Sequence, residues 1–87
     1  MKIKVKYFLD FKKITGHSDE EFFFKNNEVS VKDLFKVLYD KYQIGYEEIA
    51  LKGIIIVNNR SINQLKKENT ILNDGDQLII MPMISGG

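Results

Sequence analysis

The sequence predicts an α+β fold: a mixed sheet of about four to five strands, covered on one face by one main helix. Three observations support this fold class. In residues 2–9 apolar side chains alternate with lysines, residues 31–42 carry apolar side chains at helical spacing, and residues 53–57 form an apolar run of strand length. A chain of 87 residues can bury one core but not two. We therefore expect a single domain spanning residues 1–87.

The N-terminal third predicts two strands joined by a helical turn. Lys2–Leu9 has the period of a half-buried strand, with Ile3, Val5 and Tyr7 on one face and Lys2, Lys4, Lys6 and Phe8 on the other. Asp10–Gly16 predicts a short helical turn in which Phe11 and Ile14 face inward and the final glycine ends the turn. Glu20–Lys25 predicts a second strand, antiparallel to the first because the connection is short.

One main helix is predicted after the break at Asn26-Asn27. Ser30 can cap this helix, and Asp33 three residues later completes a capping box. The apolar residues that follow recur at spacings of three and four: Val31, Leu34, Phe35, Leu38 and Tyr42. We expect this face to be buried and the charged opposite face to be solvated.

The second half predicts two further strands. Gly53–Val57 is a continuous apolar run and should be a well-covered strand. The tight turn Asp74-Gly75-Asp76 leads into the last strand, Gln77–Met81, after which Pro82 is expected to end backbone pairing. The connecting segments are less regular: Gln43–Lys52 with a turn of helix near its end, the turn Asn58-Asn59, a short strand within Arg60–Leu65 and the charged loop Lys66–Thr70.

This order of elements matches a β-grasp fold. The order is strand, strand, helix, strand, short strand, strand, with one amphipathic helix available for one face of one sheet. In a β-grasp the first and last strands usually lie side by side and parallel in the middle of the sheet, because the rest of the domain connects them.

Composition excludes several functional classes. The net charge of +1 creates no field that would attract nucleic acid or an anionic membrane. Without cysteine there is no disulfide, cysteine nucleophile or thiolate metal site, and His17 has no second histidine with which to hold a metal. The N-terminus has no signal-peptide pattern, and no apolar run approaches the roughly 20 residues of a membrane span. We expect a cytoplasmic protein that binds no cofactor, nucleic acid or membrane.

The final residues are the candidate functional site. Gly86 and Gly87 follow closely on the last strand, and we expect residues 82–87 to form a flexible tail. Because glycines lack a Cβ, this tail would hold the Gly87 carboxylate on a slim stalk that can enter a narrow active site of another protein. Two terminal glycines arise by chance in roughly one chain in two hundred, so the dipeptide alone is weak evidence.

A docking surface is predicted beside the tail. The sheet face opposite the helix should present Phe8 and one apolar residue of the last strand, Met81. Exposed Phe and Met side chains together favour an interaction patch, and Met suits successive different partners. The alternative is that Phe8 folds against a loop. The lysines of this region predict a solvated sheet face or a docking face for acidic partner residues: Lys2, Lys4, Lys6, Lys12 and Lys13.

Several segments, in this order and spacing, resemble the small subunit of molybdopterin synthase, the MoaD family, within the ubiquitin-like sulfur carriers of the MoaD/ThiS superfamily. The resemblance covers nearly the whole chain, and the matching pieces are Ile3–Phe8, Phe11–Gly16, Val57-Asn58, Asp74–Asp76 and Pro82–Gly87. The chain departs from the family at Pro82-Met83, where two adjacent prolines are common. Residues 43–52 and 60–69 match only in length and general character.

The resemblance implies a sulfur carrier that is not catalytic alone. Gly87, carried on Gly86, would be adenylated by an E1-like adenylyltransferase that uses ATP in trans, and then converted to a thiocarboxylate. Its sulfur would pass to a pterin precursor of molybdopterin in the active site of the synthase large subunit, within a heterotetramer. The residues expected to contact these partners are Phe8, Met81, Pro82, Met83, Ile84 and Ser85.

Three alternatives remain open at this point. The chain could be a ubiquitin-like protein modifier conjugated through Gly87, or a sulfur carrier for thiamine or cysteine synthesis. From a different class, it could be a binding module whose terminal glycines are accidental.

Overall fold

The structure, a computed structural model, describes residues 1–83. Its main sheet has five strands in the order β2-β1-β7-β4-β5, and a second sheet pairs β3 with β6. The strands are β1 (Lys2–Tyr7), β2 (Asp19–Phe23), β3 (Val29–Ser30), β4 (Gly53–Val57), β5 (Arg60–Ser61), β6 (Ile71–Leu72) and β7 (Gln77–Pro82). The helices are α1 (Asp10–Thr15), α2 (Val31–Tyr42) and α3 (Tyr46–Lys52), with 3-10 turns at Ile62–Gln64 and Lys67–Asn69.

The predicted β-grasp topology is confirmed. β1 and β7 are parallel neighbours in the middle of the sheet, with Val5 opposite Leu78 and Tyr7 opposite Ile80. β2 flanks β1 in antiparallel pairing, and β4 flanks β7 in the same way. Because β1 and β7 run in one direction, their C-terminal ends lie at the same edge of the sheet. That edge is where the chain leads into residues 84–87.

The predicted capping box begins α2. The Asp33 N–H donates to Ser30 Oγ over 3.1 Å, and the Ser30 N–H donates to Asp33 Oδ2 over 3.0 Å. The backbone hydrogen bond from Ser30 holds the pKa of Asp33 below its usual range. The buried face of α2 packs into the main core with the inward side chains of the sheet: Val31, Leu34, Phe35 and Leu38 from α2, and Ile3, Val5, Tyr7, Ile55, Leu78 and Ile80 from the strands.

Two turns have backbone conformations that suit the residues found there. Asn58 and Asn59 both adopt positive φ, 47° and 71°, which suits the two-residue turn between β4 and β5. Gly75 has φ 86° in the turn before β7. Asp76 accepts a local hydrogen bond from the Asn73 N–H, whereas Asp74 accepts one from the distant Lys2 N–H over 2.7 Å. The turn therefore also holds the start of β1.

One predicted core residue is wrong. Ile14 is 55% exposed, whereas Phe11 and Thr15 are buried. The inward stripe of α1 therefore follows a spacing of four and not three, and the Thr15 hydroxyl can be buried because it donates to the Phe11 carbonyl over 3.0 Å.

Backbone pairing does not end at Pro82. Pro82 lies opposite Gly53, and the Met83 N–H donates to the Lys52 carbonyl over 3.2 Å. The Ile80 carbonyl accepts from the Phe8 N–H, so the Pro82 nitrogen, two residues on, points to the same side. Strand β1 has already ended at this point, so it offers no acceptor for the N–H that proline lacks, and no hydrogen bond of the sheet is lost.

Candidate functional site

The face of the sheet opposite α2 carries a contiguous apolar surface. In β4 and β7 the residues that alternate with the buried core positions are partly exposed. They are joined by Phe8, which is 43% exposed. We call this surface the open face, and its apolar residues are Phe8, Ile54, Ile56, Ile79 and Met81. Among residues 1–83, no helix packs over it.

The sheet register places the open-face residues side by side. Ile54 lies directly opposite Met81, and Ile56 directly opposite Ile79. Phe8 comes one residue after the last parallel pair, Tyr7 with Ile80, and its N–H donates to the Ile80 carbonyl over 3.1 Å. Directly opposite side chains in a sheet lie within contact distance of each other. The open face is therefore one patch, centred on β7.

A charged border flanks this patch on the β1–β2 side. Lys2 Nζ lies 3.0 Å from Glu21, and Lys4 Nζ lies 3.6 Å from Asp19. These side chains are about half exposed, so each pair adds little to stability. An apolar centre with a charged border is the usual anatomy of a protein–protein interface.

The structure brings two of the predicted contact residues together and extends the patch. Phe8 and Met81 lie on the open face, and Met83, which directly follows β7, is 56% exposed. Sequence reasoning missed Ile54, Ile56 and Ile79. The apolar run Gly53–Val57 predicts a well-covered strand, but only alternate residues of this strand are buried. Pro82 belongs to β7, and the remaining predicted site residues, Ile84, Ser85, Gly86 and Gly87, lie outside the described residues.

Close packing anchors the end of β7 that leads to the tail. A Cβ added at Gly53 would lie 2.7 Å from the Met81 carbonyl oxygen, 3.3 Å from the Ile49 carbonyl oxygen and 3.4 Å from the Phe11 ring. Only a residue without a side chain lets α1, α3, β4 and β7 meet this closely. The last described residues before the tail are therefore part of a rigid junction.

A polar network on the core side ties β2 to α2. Glu20, whose side chain is only 11% exposed, accepts hydrogen bonds from the hydroxyls of Tyr7 (3.0 Å) and Tyr42 (2.6 Å) and pairs with Lys41. Burial alone would raise the pKa of Glu20, but the hydrogen bonds from Lys41, Tyr42 and Tyr7 outweigh it, and the pKa lies below its usual value. Burial, followed by the Glu20 hydrogen bond, raises the pKa of Tyr7. This network lies away from the open face, and we assign it to stability.

Two further features are absent from the part of the chain that the structure describes. No cluster of three or more His, Asp or Glu side chains within residues 1–83 could hold a metal ion. In the same part of the chain, no helix has the length and apolar character needed to cross a membrane.

The sheet order, the single main helix and the open face define a ubiquitin-like β-grasp protein. A family model described as the ThiS family matches residues 5–87, and the chain belongs to that family. Its fold is that of the ThiS/MoaD-type ubiquitin-like sulfur carriers, which confirms the superfamily resemblance.

Solved structures agree with this assignment. The chain is similar to one in the Helicobacter pylori complex of subunits 1 and 2 of the molybdopterin-converting factor, at 30% identity over 100% of both chains and a TM-score of 0.62. A Pyrococcus furiosus protein assigned as subunit 1 of that factor is 25% identical, over 97% of this chain and 99% of that one, with a TM-score of 0.73. The small archaeal modifier protein 1 of Methanosarcina acetivorans is 24% identical, over 99% and 96%, with a TM-score of 0.76. A search of curated proteins finds no match.

Proposed function

We propose that this chain is the sulfur-carrying small subunit of a molybdopterin synthase. The observation that carries the proposal is the similarity, across the full length of both chains, to a subunit of the H. pylori molybdopterin-converting factor complex. The apolar open face beside the end of β7 supports it, because a small subunit needs a surface on which the large subunit can dock.

The chemistry takes place at the carboxylate of Gly87. A carboxylate is a poor electrophile, because its charge repels nucleophiles and it has no good leaving group. Attack of a carboxylate oxygen on the α-phosphorus of ATP, in an activating enzyme, releases pyrophosphate and gives an acyl adenylate. Hydrosulfide then displaces AMP and leaves a thiocarboxylate, which is a sulfur nucleophile carried without a cysteine. The large subunit would supply the groups that transfer this sulfur to the pterin precursor.

The body of the domain has a positioning role in this scheme. The rigid junction at Gly53 and the pairing of β7 through Pro82 set the point from which the tail departs. The open face orients the domain against a partner, so that the four residues after Met83 need only to reach inward. Four extended residues span up to roughly 14 Å, enough to enter a deep active site.

Intact-mass spectrometry tests the first half of the proposal. The purified chain, incubated with ATP, an E1-like adenylyltransferase and sulfide, should gain the mass difference between sulfur and oxygen at its C-terminal residue. A variant lacking Gly86 and Gly87 should unfold at the same temperature and gain nothing. An unmodified full-length chain under these conditions would contradict the sulfur-carrier function.

A reconstituted synthase tests the second half. The thiocarboxylated chain and a molybdopterin synthase large subunit should convert the cyclic pterin precursor to molybdopterin. The variant Ile79→Glu should bind the large subunit at least about tenfold more weakly, because it places a charge in the centre of the open face. Lys36→Glu, on the opposite side of the domain, is the control. Sulfur transfer only to a thiamine or cysteine precursor would show that the chain serves another pathway. Conjugates that join Gly87 to lysines of other proteins would identify the chain as a protein modifier.

A further inference from the structure

A basic hollow lies between the end of β1, α1 and the start of β2. Its volume is about 620 Å³, and its lining includes three lysines and two exposed apolar side chains. We call this site the basic corner, formed by Lys6, Lys12, Lys13, Phe8 and Leu9. It adjoins the open face, because Phe8 belongs to both.

The lysines of the basic corner differ from those of the sheet border. Lys2 and Lys4 are paired with acidic residues of β2, whereas no ion pair within residues 1–83 involves Lys6, Lys12 or Lys13. The acidic lining residue, Asp19, is already 3.6 Å from Lys4. The corner therefore carries an excess of positive charge on a chain whose net charge is only +1.

The backbone at Leu9 is strained. Leu9 has φ 53° and ψ −119°, a conformation that suits glycine, and the Phe11 N–H closes the turn by donating to the Phe8 carbonyl over 3.2 Å. The Leu9 side chain is nevertheless 64% exposed, so burial does not compensate for this strain. Strained residues that gain nothing in the isolated fold occur preferentially at binding and catalytic sites.

The position of the corner connects it with the tail. β1 and β7 are parallel, so Phe8 and Leu9 leave the sheet at the same edge as Met83. A partner that receives the tail and contacts the open face at Phe8 therefore lies against the basic corner as well.

We infer that the basic corner binds an acidic segment, bordered by apolar side chains, on the adenylating enzyme that activates Gly87. This inference rests on the proposed function and adds the chemistry of the partner surface. The three lysines, which form no ion pairs among the described residues, complement carboxylates of a partner. The exposed side chains of Phe8 and Leu9 complement its apolar side chains. A protein fits these contacts better than nucleic acid does, because a net charge of +1 provides no wider field for a phosphate backbone and Leu9, the more exposed of the two apolar side chains, offers no stacking surface for bases. Charge complementarity of this kind acts mainly on the association rate.

Salt dependence of activation tests this inference. The probe is the E1-like adenylyltransferase of the same genome, assayed by ATP–pyrophosphate exchange with the full chain as the varied substrate. At low salt the double variant K12E/K13E should have a kcat/KM about tenfold lower than that of the parent chain. For the parent chain kcat/KM should decline as salt is added, and for the double variant this decline should be smaller. The neutral variant K12Q/K13Q should fall between the two. Each variant is first checked for folding by circular dichroism.

A matched control makes the same charge change elsewhere. Lys25 follows β2 at the opposite end of the sheet, and Lys36 lies on the exposed side of α2. K25E/K36E should keep kcat/KM within about twofold of the parent at every salt concentration.

The outcomes separate the two proposals. A parent chain that undergoes no exchange would overturn the proposed function itself. Exchange that is equal for K12E/K13E and K25E/K36E would overturn only the role of the basic corner. Binding of bulk transfer RNA that depends on Lys12 and Lys13, with exchange unchanged, would also overturn it, because the corner would then serve a nucleic acid.

Discussion

Gly53→Ala should destabilise the domain and disturb the root of the tail. The added Cβ would lie 2.7 Å from the Met81 carbonyl oxygen, closer than real Cβ atoms approach their neighbours, with the Ile49 carbonyl oxygen and the Phe11 ring at 3.3 and 3.4 Å. Two of these three neighbours are backbone atoms, which cannot rotate away as a flexible side chain can. β4 and β7 must therefore separate by roughly 0.5 Å at this point, or the Cβ must remain in repulsive contact.

The magnitude follows from the cost of overpacking. Extra methyl groups in tightly packed sites cost about 1–3 kcal/mol. For a domain of this size each kcal/mol corresponds to about 4–8 °C in Tm, so we expect Tm to fall by roughly 5–20 °C. Gly45→Ala is the matched control, because the nearest atom to its Cβ would be Tyr39 Cδ2 at an ordinary 3.8 Å. At position 45, alanine is a weaker N-cap than glycine, which destabilises the fold, but it also makes the unfolded chain less flexible, which stabilises the fold. The two effects nearly cancel, so we expect the free energy of unfolding to change by less than about 0.5 kcal/mol.

Thermal and urea unfolding followed by circular dichroism measure this difference. A Gly53→Ala protein whose Tm lies within about 2 °C of the Gly45→Ala protein would refute the packing argument. The folded fraction of Gly53→Ala should also be a poorer substrate for thiocarboxylation and large-subunit binding, because the displaced Met81 belongs to the open face.

Three further substitutions test other parts of the structure. Leu9→Gly should raise the free energy of unfolding by about 1 kcal/mol by removing backbone strain, and should weaken partner binding by removing an apolar contact. Ser30→Ala should lower the free energy of unfolding by about 1 kcal/mol, because the start of α2 loses its cap. Glu20→Gln should lower stability at neutral pH by about 1–2 kcal/mol, because a carboxylate that accepts two tyrosine hydroxyls is replaced by a weaker acceptor. Folding lowers the pKa of Glu20. The ionised side chain therefore stabilises the fold fully at pH values above the ordinary carboxyl pKa, and this stabilisation is lost as the pH falls through the lowered pKa.

Each of these predictions has a contradicting result in denaturant unfolding. Destabilisation by Leu9→Gly would show that Leu9 is not strained, and an unchanged Ser30→Ala protein would show that the cap is dispensable. If Glu20→Gln and the parent chain lose stability equally as the pH falls below the ordinary carboxyl pKa, the acid sensitivity arises from other carboxylates.

Much of the fold could be predicted because local patterns agree with the tertiary arrangement. The alternation in Lys2–Leu9, the capping box at Ser30 and the glycine turn before β7 each express a short-range rule, and the structure obeys each one. The small sheet of β3 and β6 could not be found in this way. Each of its strands has two residues, too short for any period, and they pair only because α2 and the loop at Thr70 bring them together.

The candidate site was predicted in part for a similar reason. Phe8 and Met81 were found from strand parity, but Ile54, Ile56 and Ile79 were not. An apolar run such as Gly53–Val57 has the same appearance whether a strand is covered on one face or two, because isoleucine is acceptable in both environments.

The sequence alone determined the element order, the main helix with its cap and the terminal Gly86-Gly87 pair, because these depend on residues close together in the chain. Only the tertiary structure decided which apolar residues remain on the surface. That outcome depends on how many layers cover the sheet, and a single helix of 12 residues can cover only one face. It also decided that the strained Leu9 and the lysines of α1 meet at the edge of the sheet that leads into residues 84–87, because the parallel pairing of β1 with β7 joins parts of the chain about 70 residues apart.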